Sequence, residues 1–162
     1  MATFKDYLEN NSLLILHGAL GTEMEALGYD ISGKLWSAKY LLEKSEVIQE
    51  LHETYVAAGA DLITTSSYQA TLPGLVEAGL TEKAAEQIIA LTVRLAKAAR
   101  DKVWGALDET EKAKRPYPLI SGDVGPYAAY LANGSEYSGD YGQITIKELK
   151  DFHRPRIQIL LD

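Results

Sequence analysis

Apolar residues along this chain fall into two kinds of pattern, short unbroken runs and longer stripes at helical spacing. Leu13-Leu14-Ile15-Leu16 is a wholly apolar run that ends in His17-Gly18, which fits a strand buried on both faces and then a turn. From Ser45, read as an N-cap, the segment 46–58 places Val47, Leu51, Tyr55 and Ala58 on one helical face, and Gly59 supplies the stop. Asp61-Leu62-Ile63-Thr64-Thr65 follows, β-branched and apolar, and reads as a second strand leading into the polar loop Ser66-Ser67-Tyr68-Gln69. Thr81 is positioned to cap a long helix through about Val103. Its inward face is Ala85, Ile88, Leu95, Ala99 and Val103, while Glu86, Arg94, Lys97 and Arg100 face water.

Asp108 with Glu111 forms a capping-box pattern for one or two helical turns, which Arg115-Pro116-Tyr117-Pro118 ends. A third strand is predicted at Leu119-Ile120-Ser121-Gly122. A long Tyr- and Gly-rich loop to Gly142 comes next, then a last helix opened by the Thr145/Glu148 box and kinked at Pro155. Strand and helix alternate three times, and the strands are too far apart in sequence for hairpins. That order implies a parallel sheet with crossover helices, an α/β fold without repeats or linkers that would divide it. Three parallel strands leave sheet edges open, and the sequence stops at Ile159-Leu160-Leu161-Asp162 in mid-helix, so the expectation is a piece of one larger domain whose edges invite self-association.

Composition narrows the function classes. A formal charge of −7 and a pI near 5.0 disfavour a non-specific grip on nucleic acid or an anionic membrane, both of which rest on clustered Lys and Arg. No apolar run approaches the roughly 20 residues of a spanning helix, and the first residues lack the layout of a signal peptide, so the cytoplasm is the expected compartment. The chain has no cysteine, which excludes disulfides, thiol nucleophiles and thiolate metal sites within it.

Parallel α/β folds bind ligands at the carboxyl ends of their strands. Three segments qualify: His17-Gly18-Ala19-Leu20-Gly21-Thr22-Glu23, Thr65-Ser66-Ser67-Tyr68-Gln69-Ala70 and Gly122-Asp123-Val124-Gly125-Pro126. Gly18 and Gly21 allow a ligand to approach the backbone closely, and amides that open the following helix can bind a carboxylate or phosphate. A tight turn that needs glycine explains the same residues equally well.

In order, the chain carries Leu16-His17-Gly18-Ala19-Leu20-Gly21-Thr22-Glu23-Met24-Glu25, Leu35-Trp36-Ser37-Ala38, His52, Ala58-Gly59-Ala60-Asp61, Ser67-Tyr68-Gln69-Ala70, Val124-Gly125-Pro126-Tyr127 and Gly134-Ser135-Glu136-Tyr137. Their succession resembles bacterial homocysteine S-methyltransferases that use S-methylmethionine. More distantly it resembles betaine-homocysteine methyltransferase and the homocysteine module of cobalamin-dependent methionine synthase. The resemblance runs from about residue 13 to 161. It implies that residues 1–162 are the N-terminal portion of a single homocysteine-binding (β/α)8 TIM barrel, carrying its first three strands of a fold that usually takes about 250 residues.

The resemblance also implies roles. Gly18 and Ala19 offer backbone contacts to the amino-acid end of homocysteine. Position 17, commonly Asp in the wider family, is His here, and a neutral imidazole accepts a weaker hydrogen bond from a substrate ammonium than a carboxylate does. Trp36 and Tyr68 match the aromatic positions of the methyl-donor site, where a sulfonium (S-methylmethionine or S-adenosylmethionine) or quaternary ammonium is held by aromatic faces. Tyr127, Tyr130, Tyr137 and Tyr141 are placed to line the same mouth, although a tyrosine-rich loop that merely packs accounts for them more simply. In the family a zinc ion held by three cysteines of later strands makes the acceptor thiol a thiolate, and a glutamate of the next strand holds the substrate amine. None of those cysteines stands in this chain, so no zinc and no turnover are expected of it alone. His52 and His153, within predicted helices, read as structural residues away from the strand mouth.

Two other classes remain open. Gly18-Ala19-Leu20-Gly21 as a phosphate-binding turn would make a nucleotide-binding α/β domain, although G-x-x-G is not G-x-G-x-x-G. A non-catalytic interaction module that pairs through the open sheet edge is the other.

Overall fold

The computed structural model describes residues 4–10, 13–33 and 35–162. Among them, helix α1 (Phe4–Asn10) and helix α2 (Leu20–Ala26) flank the first apolar run. A 3₁₀ turn (Trp36–Lys39) leads into α3 (Tyr40–Glu43), α4 (Ser45–Ala57) and strand β1 (Leu62–Thr64). Helices α5 (Leu72–Glu77), α6 (Glu82–Ala106) and α7 (Glu109–Lys112) then precede strand β2 (Leu119–Ser121). Helices α8 (Tyr127–Leu131), α9 (Ser135–Ser138) and α10 (Ile146–Leu161) follow it.

β1 and β2 pair in parallel, with Ile63 opposite Ile120, and Leu16 joins β1 through one parallel bridge to Leu62. The three apolar segments therefore lie side by side in the predicted sense. The first, however, is not a strand buried on both faces. Ile15 O accepts from both Asp61 N (2.8 Å) and Leu62 N (3.1 Å), while Ile15 N donates to the Asp61 carboxylate at 3.0 Å. With that amide taken by a side chain, the ladder shrinks to a single bridge. Leu13, Ile15 and Leu16, with no neighbour on their far side among the described residues, are more than half exposed.

Alternation along β1 sets the layers. Ile63 is fully buried against Val56 of α4 and Ala96 of α6, whereas Leu62 and Thr64 turn to the opposite, half-exposed side. A second, larger core joins Met24, Ile31, Leu41, Ile48, Leu75 and Ile89 between α2, α4, α5 and α6. No helix among the described residues is long and apolar enough to cross a membrane.

Helix ends follow local chemistry. Thr81 accepts from Ala84 N at 3.3 Å, and Asp108 and Thr145 each form the full capping box with Glu111 and Glu148. Ser45 is not an N-cap but the first helical residue, after Lys44, which makes no side-chain cap. Helix α4 buries Val47, Ile48, Leu51, His52 and Val56, a face turned from the predicted one, so Tyr55 is half-buried and Ala58 exposed. Helix α6 buries Ile89, Thr92 and Ala96 besides Ala85, Leu95 and Ala99, leaving Ile88 and Val103 at the margin. The stretch after β2 is not one long loop. It folds into α8 and α9, separated by Ala132 and Gly134 in the left-handed region. Helix α10 runs on through Pro155.

Candidate functional site

The loops that leave the three parallel segments enclose one cavity of about 960 Å³, at the upper end of the usual range for small-molecule pockets. His17, Gly18 and Ala19 line it from the first segment, Trp36 from the 3₁₀ turn, and Tyr68 from the loop after β1. All five sequence-predicted site residues therefore share one space, although they come from three separate stretches of chain.

Each is held by identifiable packing. His17 Nε2 pairs with Thr64 Oγ1 at 2.5 Å, and the ring lies 5.2 Å from Tyr55, centroid to centroid. Burial pushes the His17 imidazole below its ordinary value, so it is neutral near pH 7. Tyr55 Oη donates to Ala19 O at 3.2 Å, fixing the backbone that a ligand would meet. Trp36 adopts φ of +48°, rare for an aromatic residue, and its indole lies so close over Gly21 that a Cβ there would come within 2.6 Å of the ring. The Leu20-Gly21 start of α2 and the Trp36 ring are thus made to fit each other.

On the other wall, hydroxyl groups tie the two strand-end loops together. Thr65 Oγ1 accepts from Asp123 N at 2.9 Å, Ser67 Oγ donates to Asp123 O at 2.6 Å, and the two hydroxyls meet at 2.6 Å. Beneath them lies Arg156 of α10, 1% exposed. Its Nη1 donates to Ser67 O (3.3 Å) and Tyr68 O (3.1 Å), and its Nη2 to Gly125 O at 2.6 Å. Gly125 has to be glycine, because a Cβ would collide with the Tyr68 carbonyl oxygen. Burial lowers the Arg156 guanidinium to about 10, still charged at neutral pH. Tyr68 is pushed up, first by burial and then by the charges of Asp123 and Glu136.

The histidines of α4 and α10, read from the sequence as structural residues away from the strand mouth, do not line the cavity but pack behind its walls. His52 is fully buried with its ring centroid 6.0 Å from that of His17, and His153 Nδ1 lies 3.3 Å from Arg156 Nη2. Of the tyrosines after β2, Tyr127 and Tyr130 pack on Phe152 at 5.0 and 5.4 Å between centroids, while Tyr137 reaches the cavity rim, largely exposed. Ser66, Asp123 and Glu136 also line the cavity and were not singled out individually. Ser66 and Asp123 both stood in strand-end segments, where ligands are met.

A zinc ion does not fit the groups present. The chain has no cysteine, and no group of three His, Asp or Glu side chains gathers among the described residues.

Parallel segments joined by crossover helices, with a cavity at the strand ends, define an α/β protein whose open space lies where such folds take their ligands. The chain belongs to the homocysteine S-methyltransferase family, whose model matches residues 14–162. It is 44% identical over 162 residues to homocysteine S-methyltransferase YbgG of Bacillus subtilis, covering 100% of this chain and 50% of that protein. Against homocysteine S-methyltransferase 1 of Zea mays it is 45% identical over 147 residues, 90% of this chain and 46% of the relative. The crystal structure of the metallated form of the homocysteine methyltransferase MmuM from Escherichia coli superposes with a TM-score of 0.81 at 44% identity, over 96% of this chain and 52% of that one. The chain spans about half the length of the curated relatives it matches.

Proposed function

We propose that the cavity serves methyl transfer from a sulfonium donor, S-methylmethionine or S-adenosylmethionine, to homocysteine, yielding methionine, and that the three parallel segments are part of a (β/α)8 barrel. The observation that carries the reading is the meeting of the Gly18-Ala19 backbone with the Trp36 and Tyr68 rings across one cavity. A sulfonium has no N–H or O–H to donate, so aromatic faces are its natural partners. The backbone at Gly18 and Ala19, braced by Tyr55, suits the amino-acid end of homocysteine. Neutral His17 would accept a hydrogen bond there, in the place where the wider family has a carboxylate.

Attack on the methyl group requires a thiolate, and zinc supplies that activation in the family as the resemblance implies it. The described residues offer no ligand set for the ion, so the part assigned to this chain is binding and orientation of the substrates. Calorimetry on the chain is expected to record binding of S-methylmethionine that Trp36→Ala weakens about tenfold. The same chain mixed with S-methylmethionine and homocysteine is expected to form no methionine above the uncatalysed rate. Failure to bind the sulfonium contradicts the assignment of the cavity, and methionine formation contradicts the claim that thiolate activation needs groups outside these residues.

A further inference from the structure

The wall opposite the first segment carries polar groups that nothing above employs. Ser66 is 7% exposed and lines the cavity, yet its hydroxyl finds no hydrogen-bond partner among the described residues. Its neighbours Thr65 and Ser67 spend their hydroxyls on the Asp123 backbone, one on each side of it, which seats Asp123 beside Ser66. The Asp123 carboxylate is half-buried, and no salt bridge among the described residues reaches it. The nearby Arg156 gives its Nη donors to three backbone carbonyls and His153 instead. Burial holds the Asp123 carboxyl above the usual carboxylate range, and the Arg156 charge together with a hydrogen bond from the Val124 backbone offsets this only in part. Glu136, on α9, also lines the cavity, and its Oε2 is buried without a partner. Among the described residues no Lys or Arg lines this space.

A hydroxyl, a carboxylate and a buried carboxylate oxygen are all acceptors. Leaving the Ser66 hydroxyl and the Glu136 oxygen buried and unpaired beside the Asp123 carboxylate is costly, and the group that can donate to all three at once, with a positive charge to match, is a primary ammonium. A sulfonium cannot do so, since it has no hydrogen to donate. Both carboxylates act electrostatically on Tyr68, so this pole lies beside the ring to which the sulfonium is assigned. We infer that Ser66, Asp123 and Glu136 form a subsite for the α-ammonium group of the methyl donor, making the cavity specific for donors that are amino acids. This inference rests on the methyl-transfer reading and adds to it the groups that choose among sulfonium compounds.

The test compares S-methylmethionine with dimethylsulfoniopropionate, a sulfonium carboxylate without an amino group, by calorimetry on the 162-residue chain. Wild type is expected to bind S-methylmethionine at least about tenfold more tightly. The isosteric changes Asp123→Asn and Glu136→Gln are each expected to weaken S-methylmethionine about tenfold, and Ser66→Ala about threefold, while binding of dimethylsulfoniopropionate stays within about twofold and reports that the site is intact. Equal binding of the two compounds by wild type, or variants that weaken both alike, overturns the subsite and leaves the methyl-transfer reading standing. Failure of both compounds to bind overturns that reading and the subsite together.

Discussion

Replacing Arg156 by alanine is expected to destabilise the chain by about 3–5 kcal/mol, a large fraction of the roughly 5–15 kcal/mol that holds a domain folded, read as a shift in the urea midpoint. The guanidinium is the largest fully buried side chain, and it satisfies the carbonyls of Ser67, Tyr68 and Gly125 from below. Truncation takes the guanidinium from the Tyr68 and Gly125 carbonyls, leaves Ser67 O with only the Ala70 amide, and opens a void under both strand-end loops, and each of these losses carries a cost of its own. Lysine restores a charge but not the planar fork that reaches two loops at once, so Arg156→Lys is expected to recover only part of the loss. A midpoint for Arg156→Ala within the scatter of surface substitutions contradicts this account of how the two loops are joined.

Stability is also expected to fall by about 3 kcal/mol as the pH drops from about 6.5 to about 4, and most of that loss is assigned to His52. Its imidazole is fully buried with neither nitrogen hydrogen-bonded among the described residues. Burial, and secondarily the charge of His17, lowers it to about 4 in the folded chain. The unfolded chain takes up the proton near the ordinary histidine value of about 6.5 and the folded chain only near 4, so acid favours unfolding. The contribution is complete above the unfolded value, declines through the window between the two, and is gone below the folded one. His17 is depressed in the same direction and steepens the decline. Urea titrations at a series of pH values, repeated on His52→Leu, test this. The variant is expected to lose most of the slope across the window, and an unchanged slope assigns it to other groups.

How much of this was written in the sequence depended on how local the cause was. The ends of α6, α7 and α10 were legible because Thr81, Asp108 and Thr145 cap backbone amides within three residues of themselves. The first apolar run was not, because a strand needs a partner ladder, and whether Ile15 N would meet a carbonyl or the Asp61 carboxylate depends on a residue 46 positions away. Helices α8 and α9 hid in a stretch whose glycines and tyrosines read as loop. The placement of α8 comes from Phe152 of α10, on which Tyr127 and Tyr130 pack, and α9 follows it through the left-handed turn at Ala132 and Gly134.

The site divides in the same way. Gly18, Trp36 and Tyr68 were brought together by family resemblance, since nothing in their spacing puts an indole beside a residue 32 positions on. Asp123 stood at the end of a predicted strand and could have been found there. Glu136 stood only within a motif of the family resemblance, and its place in the cavity depends on the turn through Ala132 and Gly134. Arg156 did leave a trace, lying four residues after Phe152 and three or four before Ile159 and Leu160 on the half-buried stripe of α10, where a charge is out of place unless it is satisfied.

The central claim is that the loops trailing three parallel segments make a single receptor for a sulfonium amino acid. Titrating the isotope-labelled chain with S-methylmethionine and following its backbone amide resonances tests this most directly. The account predicts that Gly18 and Ala19, Ser66 and Tyr68, and Asp123 and Gly125 move together with one shared dissociation constant. Shifts confined to one loop, or gathered on helix faces remote from Trp36, would contradict it.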